Sequence, residues 1–116
     1  MSGGDECHIR HSPLTVSLLE PVLLALIHEQ ARHGYTLLSD LEAMSMGTIH
    51  PSVVYRTLRE MEGLRWIQSD WNTDQAQGPP RRIYRLTAQG KEALRNWQRE
   101  LEKTQGLIER LLKRIE

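Results

Sequence analysis

A short stretch between His50 and Arg59 is rich in side chains that can hydrogen-bond to, or pair with, a polar or anionic partner. Its candidate residues are His50, Ser52, Val53, Tyr55, Arg56 and Arg59. Serine and histidine can bond base edges or phosphates, arginine can bind guanine through two hydrogen bonds or neutralise a phosphate, and valine can contact a thymine methyl group. On a helix, whose first N–H groups also favour phosphate, these types fit nucleic-acid recognition. The alternative interpretation is an ordinary surface helix with solvated arginines.

A second basic group, Arg81 and Arg82, directly follows the rigid sequence Gly78-Pro79-Pro80. Two cations beside an exposed turn can lie over a phosphate backbone or enter the minor groove. A solubilising loop is the alternative. Because this basic tip comes after a basic helix, we favour the interpretation that both bind one anionic partner.

The elements that must position these residues begin with two helices. The first is predicted to run from Leu14 or Pro21 to Gln30, since proline is tolerated in a first helical turn. Residues 31–35 read as a connection, with Gly34 as a break. Residues 36–44 form the predicted second helix, which has one apolar face.

The third helix has the clearest boundaries. His50 or Thr48 can cap it, Pro51 suits its first position and Gly63 ends it. Its apolar residues, Val54, Leu58 and Met61, recur at helical spacing and predict a buried stripe. Residues 66–71 and 82–86 then alternate as strands do, and the turn-rich residues 72–80 between them predict a hairpin.

The last helix, which Thr87 caps, carries apolar residues at alternating spacings of three and four from Leu94 to Ile115. This is the pattern of a helix that packs along another helix, and it predicts a homodimer. The predicted dimer interface comprises Leu23, Trp97, Leu101, Ile108, Leu111 and Ile115.

Three helices, a hairpin and a long helix make up the order of a winged helix-turn-helix. The predicted fold class is therefore mainly α with a two-stranded β-wing. We divide the chain into a flexible arm (residues 1–13), a winged helix-turn-helix DNA-binding domain (14–87) and a dimerisation helix (88–116).

The 116-residue chain has a net charge of zero, but its charge is unevenly distributed. Residues 1–49 carry two Lys/Arg against six Asp/Glu, whereas residues 50–86 carry six against four and residues 87–116 seven against five. A local basic surface is enough to bind DNA. The neutral total nevertheless keeps open a winged-helix module for protein interaction that does not bind DNA.

Composition also limits the other classes. A single cysteine suits a reducing cytoplasm, and we see neither a leader nor an apolar run of the roughly 20 residues that a membrane span needs. Enzyme motifs are not evident, so we expect neither catalysis nor a cofactor. Cys7, His8 and His11 leave open a metal or redox sensor, although they fall short of a structural zinc set. We therefore predict no metal site.

Three separated motifs give the chain a specific resemblance. His33-Gly34-Tyr35, then Tyr55 with residues 58–62, and then residues 78–87 followed by Gly90 resemble the PadR family of bacterial transcriptional regulators over about residues 20–103. The resemblance implies a winged helix-turn-helix, a dimer through the last helix with help from the first, and repression at a pseudo-palindromic operator.

By position, the resemblance places Tyr35, Ser52, Tyr55 and Arg56 on DNA-facing helices and both wing arginines on the wing. One departure is Arg65, which stands near the usual place of a glycine after the recognition helix.

The resemblance also raises the question of an effector. Some similar proteins bind planar aromatic or phenolic compounds between their subunits. Trp66, Trp97, Leu101 and the first helix could line such a space here, which would make the predicted dimer interface a possible effector pocket as well. The alternative for the same residues is a plain dimer core.

Overall fold

The computed structural model describes residues 13–72 and 81–116. Its elements are α1 (Pro13–Ser17), α2 (Leu19–Glu29), β1 (Arg32–His33), α3 (Gly34–Ala43), α4 (Pro51–Gly63), β2 (Ile67–Asn72), β3 (Arg81–Leu86) and α5 (Ala88–Ile115). Most of the predicted arm, with Cys7, His8 and His11, and the tip of the predicted hairpin lie outside the described residues. The predicted fold class is confirmed, with the differences given below.

The predicted first helix is two helices. Helix α2 begins at Leu19, so Pro21 lies within its first turn and does not mark the start of the helix. The first N–H groups of a helix have no partner within it, so a proline costs little there. The short helix α1 precedes it.

The predicted connection at residues 31–35 is partly a strand. Arg32 and His33 form β1, which pairs antiparallel with β3 through Tyr84 and Ile83, and the sheet has the order β1-β3-β2. The wing sheet thus has three strands, where two were predicted. Gly34 begins α3, so it does not act as the predicted break after the first helix.

Arg32 fixes this junction. Its Nη1 donates to the Asp40 carboxylate at 2.6 Å, and its Nε donates to the Leu26 carbonyl oxygen at 2.8 Å. The side chain is largely buried, so the pair is less screened than a surface salt bridge. Arg32 therefore holds β1 between the end of α2 and the body of α3.

A single apolar core joins the helices to the base of the sheet. It includes Leu24 and Ile27 of α2, Leu37 and Leu41 of α3, Val54, Leu58 and Met61 of α4, Ile67 of β2 and Tyr84 of β3. The buried stripe predicted for α4 is confirmed. Because these residues share one core, α3 and α4 cannot move far relative to the sheet without opening a cavity.

Leu23 also belongs to this core, which corrects its predicted role. Its side chain is 0% exposed. It packs within its own chain, so it cannot line a dimer interface or an effector pocket. Helix α2 is apolar nearly all round, and its sequence alone does not say which side meets a partner.

The start of α5 is locked onto the entry to β2. The Thr87 hydroxyl donates to the carbonyl oxygens of Arg65 (2.6 Å) and Trp66 (3.0 Å) and accepts from the Gly90 amide (2.9 Å). A Cβ on Gly90 would lie 2.0 Å from the Trp66 carbonyl oxygen, so only glycine fits there. Helix α5 then continues unbroken through Thr104 and Gly106.

The turn between α4 and β2 uses the residue that departs from the family pattern. Arg65 has a φ of 66°, in the left-handed region that favours glycine. The chain keeps the backbone conformation that glycine would adopt there and bears the strain of a side chain.

We predict that Arg65→Gly raises the free energy of unfolding by about 1 kcal/mol, because it relieves this strain. Urea denaturation of the variant and the wild type measures the change. Leu64→Gly is the matched control, since Leu64 has a φ of −81° and should gain nothing from glycine. A stability for Arg65→Gly equal to or below that of the wild type would contradict the prediction.

Candidate nucleic-acid interface

The first turn of α4 is capped by its own flanking side chain. The Nδ1 atom of His50 accepts a hydrogen bond from the Ser52 amide at 3.1 Å and lies 2.9 Å from the Ser52 hydroxyl. Pro51 occupies the first helical position, as predicted. Both polar side chains are exposed, so the capped helix start faces solvent with its remaining N–H groups.

The side chains of α4 differ in how far they are exposed to solvent. Ser52, Arg56 and Arg59 are exposed, whereas Val53 and Tyr55 are half-buried against the core. Little of Val53 is therefore available to a thymine methyl group.

A cleft of about 700 Å³ separates α4 from the wing. It brings together five of the predicted site residues: Tyr35, Tyr55, Arg59, Arg81 and Arg82. The cleft is also lined by His33, Gly34, Glu62, Trp71 and Tyr84. His50, Ser52, Val53 and Arg56 do not line it. The site is thus a cleft adjoining an exposed helix start.

One side of the cleft is formed by the start of α3. The Arg81 guanidinium carbon lies 4.4 Å from the centroid of the Tyr35 ring, a cation–π contact. The Tyr55 ring lies so close to Gly34 that a Cβ there would be 2.8 Å from the tyrosine Cε1. Because Gly34 has no side chain, α4 can approach the start of α3 closely at Tyr55.

The other side of the cleft is formed by the hairpin. The Arg82 guanidinium carbon lies 4.7 Å from the centroid of the Trp71 ring. Its Nη1 donates to the Ser69 hydroxyl at 2.6 Å, and that hydroxyl donates to the Glu62 carboxylate at 2.7 Å. Sequence reasoning did not single out Glu62, Ser69 or Trp71. The alternation of residues 67, 69 and 71 was visible, but their pairing with β3 depends on the hairpin register.

The cleft has a positive balance of charge. Among the described residues, three arginines and one glutamate line it together with the buried Tyr84. Burial raises the pKa of the Tyr84 phenol above its ordinary value, so it stays neutral. A cleft with this balance and with aromatic walls suits a phosphate backbone.

The residues predicted for a dimer interface or an effector pocket line two grooves or lie exposed along α5. Leu101 lines a largely apolar groove of about 610 Å³ between α2 and α5. Trp66 and Trp97 line another groove, and the Trp97 Nε1 donates to Glu20 at 2.8 Å within the chain. Within one protomer, Trp66 and Trp97 therefore line a different groove from Leu101. Ile108, Leu111 and Ile115 are exposed along the rest of α5.

Residues 13–72 and 81–116 contain neither a membrane-spanning helix nor a metal-binding cluster. No helix there combines the length and apolar character that crossing a membrane requires. Those residues also contain no group of three or more His, Cys, Asp or Glu side chains placed to hold a metal ion.

The helix pair α3–α4, the hairpin beside it and the basic cleft between them define a winged-helix protein of the DNA-binding class. The model of the transcriptional regulator PadR-like family matches residues 23–96. The chain therefore belongs to the PadR-like family, as the sequence motifs predicted. This membership makes it a transcriptional regulator, in a non-enzymatic family whose members bind DNA.

Solved structures agree with this fold. A conserved protein of unknown function, described as a potential transcriptional factor, is 34% identical, with a TM-score of 0.75 over 90% of this chain and 93% of its own. A PadR-like transcriptional regulator from Bacillus cereus is 23% identical, with a TM-score of 0.78 over 87% of this chain and 97% of its own. A PadR family regulator from Eggerthella lenta is also 23% identical, with a TM-score of 0.74 over 85% of both chains. No curated protein matches the chain significantly.

We predict that His50→Ala lowers the free energy of unfolding by about 1 kcal/mol, because it removes the acceptor that caps α4. His50→Asn should restore most of this loss, since asparagine also caps helices well. Urea denaturation compares the two variants with the wild type. An alanine variant as stable as the wild type would show that the cap contributes nothing.

Proposed function

We propose that the protein is a homodimeric repressor that binds a pseudo-palindromic operator. The observation that carries this proposal is the basic cleft. Arg59 of α4, the proposed recognition helix, lines this cleft together with Arg81 and Arg82 of the wing. Two elements that carry cations on both sides of one cleft can follow one phosphate strand between the major and minor grooves.

In this arrangement the start of α4 enters the major groove. Ser52 and Arg56, which are exposed outside the cleft, are proposed to meet base edges. Tyr35, Tyr55 and Arg59 are proposed to contact the adjoining backbone, and the wing arginines the flanking phosphates. The Nδ1 atom of His50 accepts the hydrogen bond that caps α4, so only the rest of its ring is available to DNA.

The dimer is proposed from the outer part of α5. Leu101, Ile108, Leu111 and Ile115 are 38% to 70% exposed. Leu107 and Leu112 are also exposed and widen the apolar stripe beyond the predicted heptad positions. A contiguous exposed stripe of this kind is typical of a helix that packs on a partner. A second copy of α5 fits this stripe.

The winged helix-turn-helix domain and the dimerisation helix are not sharply divided in this proposal. The first turns of α5 pack on that domain through Gly90, Ala93 and Trp97. The proposed boundary at residues 87–88 therefore separates elements, while the part of α5 that is free for a partner begins near Leu101.

Repression is proposed from the family resemblance and from occupancy, since a dimer bound at a promoter excludes other proteins from it. The groove between α2 and α5 has the apolar lining that a small aromatic effector would need. We place such an effector there, where it would alter the dimer and so release DNA. The single cysteine agrees with a cytoplasmic location.

The DNA-binding proposal predicts the behaviour of Arg82→Ala. With a duplex from the promoter of the protein's own gene or a neighbouring gene, the wild type should bind an inverted repeat whose half-sites lie about one helical turn apart. The variant should bind all sequences more weakly and show a salt slope smaller by about one unit, because one phosphate contact is lost. Fluorescence anisotropy at several salt concentrations measures both quantities.

Gln68→Ala serves as the matched control on the exposed side of β2 and should leave the salt slope unchanged. An unchanged slope for Arg82→Ala would remove that residue from the interface. A folded wild-type dimer that binds no DNA at low salt would instead support the protein-interaction module.

The dimer proposal predicts that the double variant Ile108→Ala/Leu111→Ala dissociates at higher concentration than the wild type, because it removes apolar contact area between the helices. Lys113→Ala, on the polar side of the same helix, should dissociate as the wild type does. Sedimentation velocity over a concentration series measures the equilibrium. A monomeric wild type, or a double variant that is indistinguishable from it, would exclude this interface.

A further inference from the structure

The inner face of the hairpin carries an arginine that is already held in place. We propose that Glu62 and Ser69 are positioning residues that hold Arg82 on Trp71, so that Arg82 and Trp71 bind the DNA backbone as one unit. This rests on the proposed function, in which the wing contacts DNA. It adds three residues to the interface and gives Glu62, the only acidic side chain among the described residues that line the cleft, a role in DNA binding.

The contacts form a chain across three elements. Glu62 belongs to α4, Ser69 to β2 and Arg82 to β3, and the two hydrogen bonds that join them are 2.7 Å and 2.6 Å long. The Ser69 hydroxyl donates its hydrogen to the carboxylate, which leaves its oxygen free to accept from the guanidinium. The recognition helix therefore determines where the wing cation lies.

Trp71 completes the unit. Arg82 and Trp71 are direct cross-strand partners, and the cation lies over the indole ring. The same face of β2 runs from Ile67, which is buried in the core, through Ser69 to Trp71, which is 61% exposed. An exposed ring on a strand that is anchored in the core provides a fixed surface for a guanidinium and for the sugar of a backbone.

Prior placement changes the cost of binding. A free arginine at the surface loses rotamer freedom when it contacts phosphate, whereas one that is already stacked and hydrogen-bonded loses less. A guanidinium has five N–H donors, so the bond to Ser69 leaves others for a phosphate oxygen.

The effect of removing Glu62 on DNA affinity tests this proposal, because two possible roles of Glu62 predict changes in opposite directions. A carboxylate beside DNA repels phosphate, so a glutamate with no other role would weaken binding, and its removal would strengthen it. If Glu62 positions Arg82 through Ser69, its removal weakens binding instead. The two roles thus predict opposite changes in affinity for the same substitution.

The experiment measures the Kd of the full chain for the promoter duplex by fluorescence anisotropy. Ser69→Ala should bind about three- to tenfold more weakly than the wild type, the range expected when a hydrogen bond to a charged group is lost. Glu62→Gln should bind about threefold more weakly, because its neutral amide oxygen still accepts from Ser69 but does so less strongly than the carboxylate. Glu60→Gln is the matched control, since it removes the same charge from an exposed position on the same helix. It should bind as tightly as the wild type or slightly more tightly.

A double-mutant cycle separates positioning from general damage to the fold. In an Arg82→Ala background, Ser69→Ala should cause no further loss, because the side chain that it positions is absent. Trp71→Leu should weaken binding and Trp71→Tyr should restore it, since tyrosine retains an aromatic face. Thermal unfolding confirms that each variant is folded.

Three results would overturn the proposal while wild-type binding remains intact. These are tighter binding by Glu62→Gln to the same degree as by Glu60→Gln, unchanged binding by Ser69→Ala, or an undiminished effect of Ser69→Ala in the Arg82→Ala background. If the wild type itself binds no DNA, the proposed function fails first, so the two failures are distinguishable.

Discussion

The central position of β3 is the constraint on which the arrangement of the site depends. This strand pairs with β1 on one side and β2 on the other. Strand β1 leads directly into α3, so its pairing brings the start of that helix beside the first residues of β3. Tyr35 can then meet Arg81, while the pairing with β2 brings Trp71 to Arg82. Without this central strand, the wing would be a hairpin with no fixed relation to the helix-turn-helix.

The cleft combines local positive charge with a chain that has none overall. Arg32, on the edge strand β1 of the same sheet, is compensated by Asp40 and Glu29. Arg81 and Arg82, in contrast, lie against aromatic rings, which attract a cation without neutralising it. The difference explains why net charge was a weak guide to function. What matters for DNA binding is which cations retain their charge toward solvent.

Local sequence signals predicted the elements that form from local interactions. The proline after His50 and the apolar spacing of α4 are properties of one continuous segment, and Thr87 likewise caps the helix that follows it. Strand β1 is different, because two residues cannot show an alternating pattern and exist as a strand only through β3. Leu23 was misassigned for a related reason. A helix that is apolar nearly all round does not reveal which of its sides meets the core.

For the site, too, the sequence predicted what depends on local segments and not what depends on contacts between them. Arginines and tyrosines could be placed on the correct elements from motif positions, since each motif is local. The connection from Glu62 through Ser69 to Arg82 could not, because it depends on the register of a hairpin and on the approach of α4 to that hairpin. Arg65 shows the converse case, in which the residue that departs from the family pattern adopts the left-handed backbone conformation that favours glycine.

Helix α5 links the two proposed surfaces mechanically. At its start, Gly90 and Thr87 lie against the backbone that enters β2. Farther along the helix, the Trp97 indole donates a hydrogen bond to Glu20 of α2. These contacts leave the first part of α5 little freedom relative to the core. In the proposed dimer, the angle at which two α5 helices cross would therefore determine the separation of the two α4 helices. A ligand between α2 and α5 would then act on DNA binding by changing that angle, without touching the recognition helix.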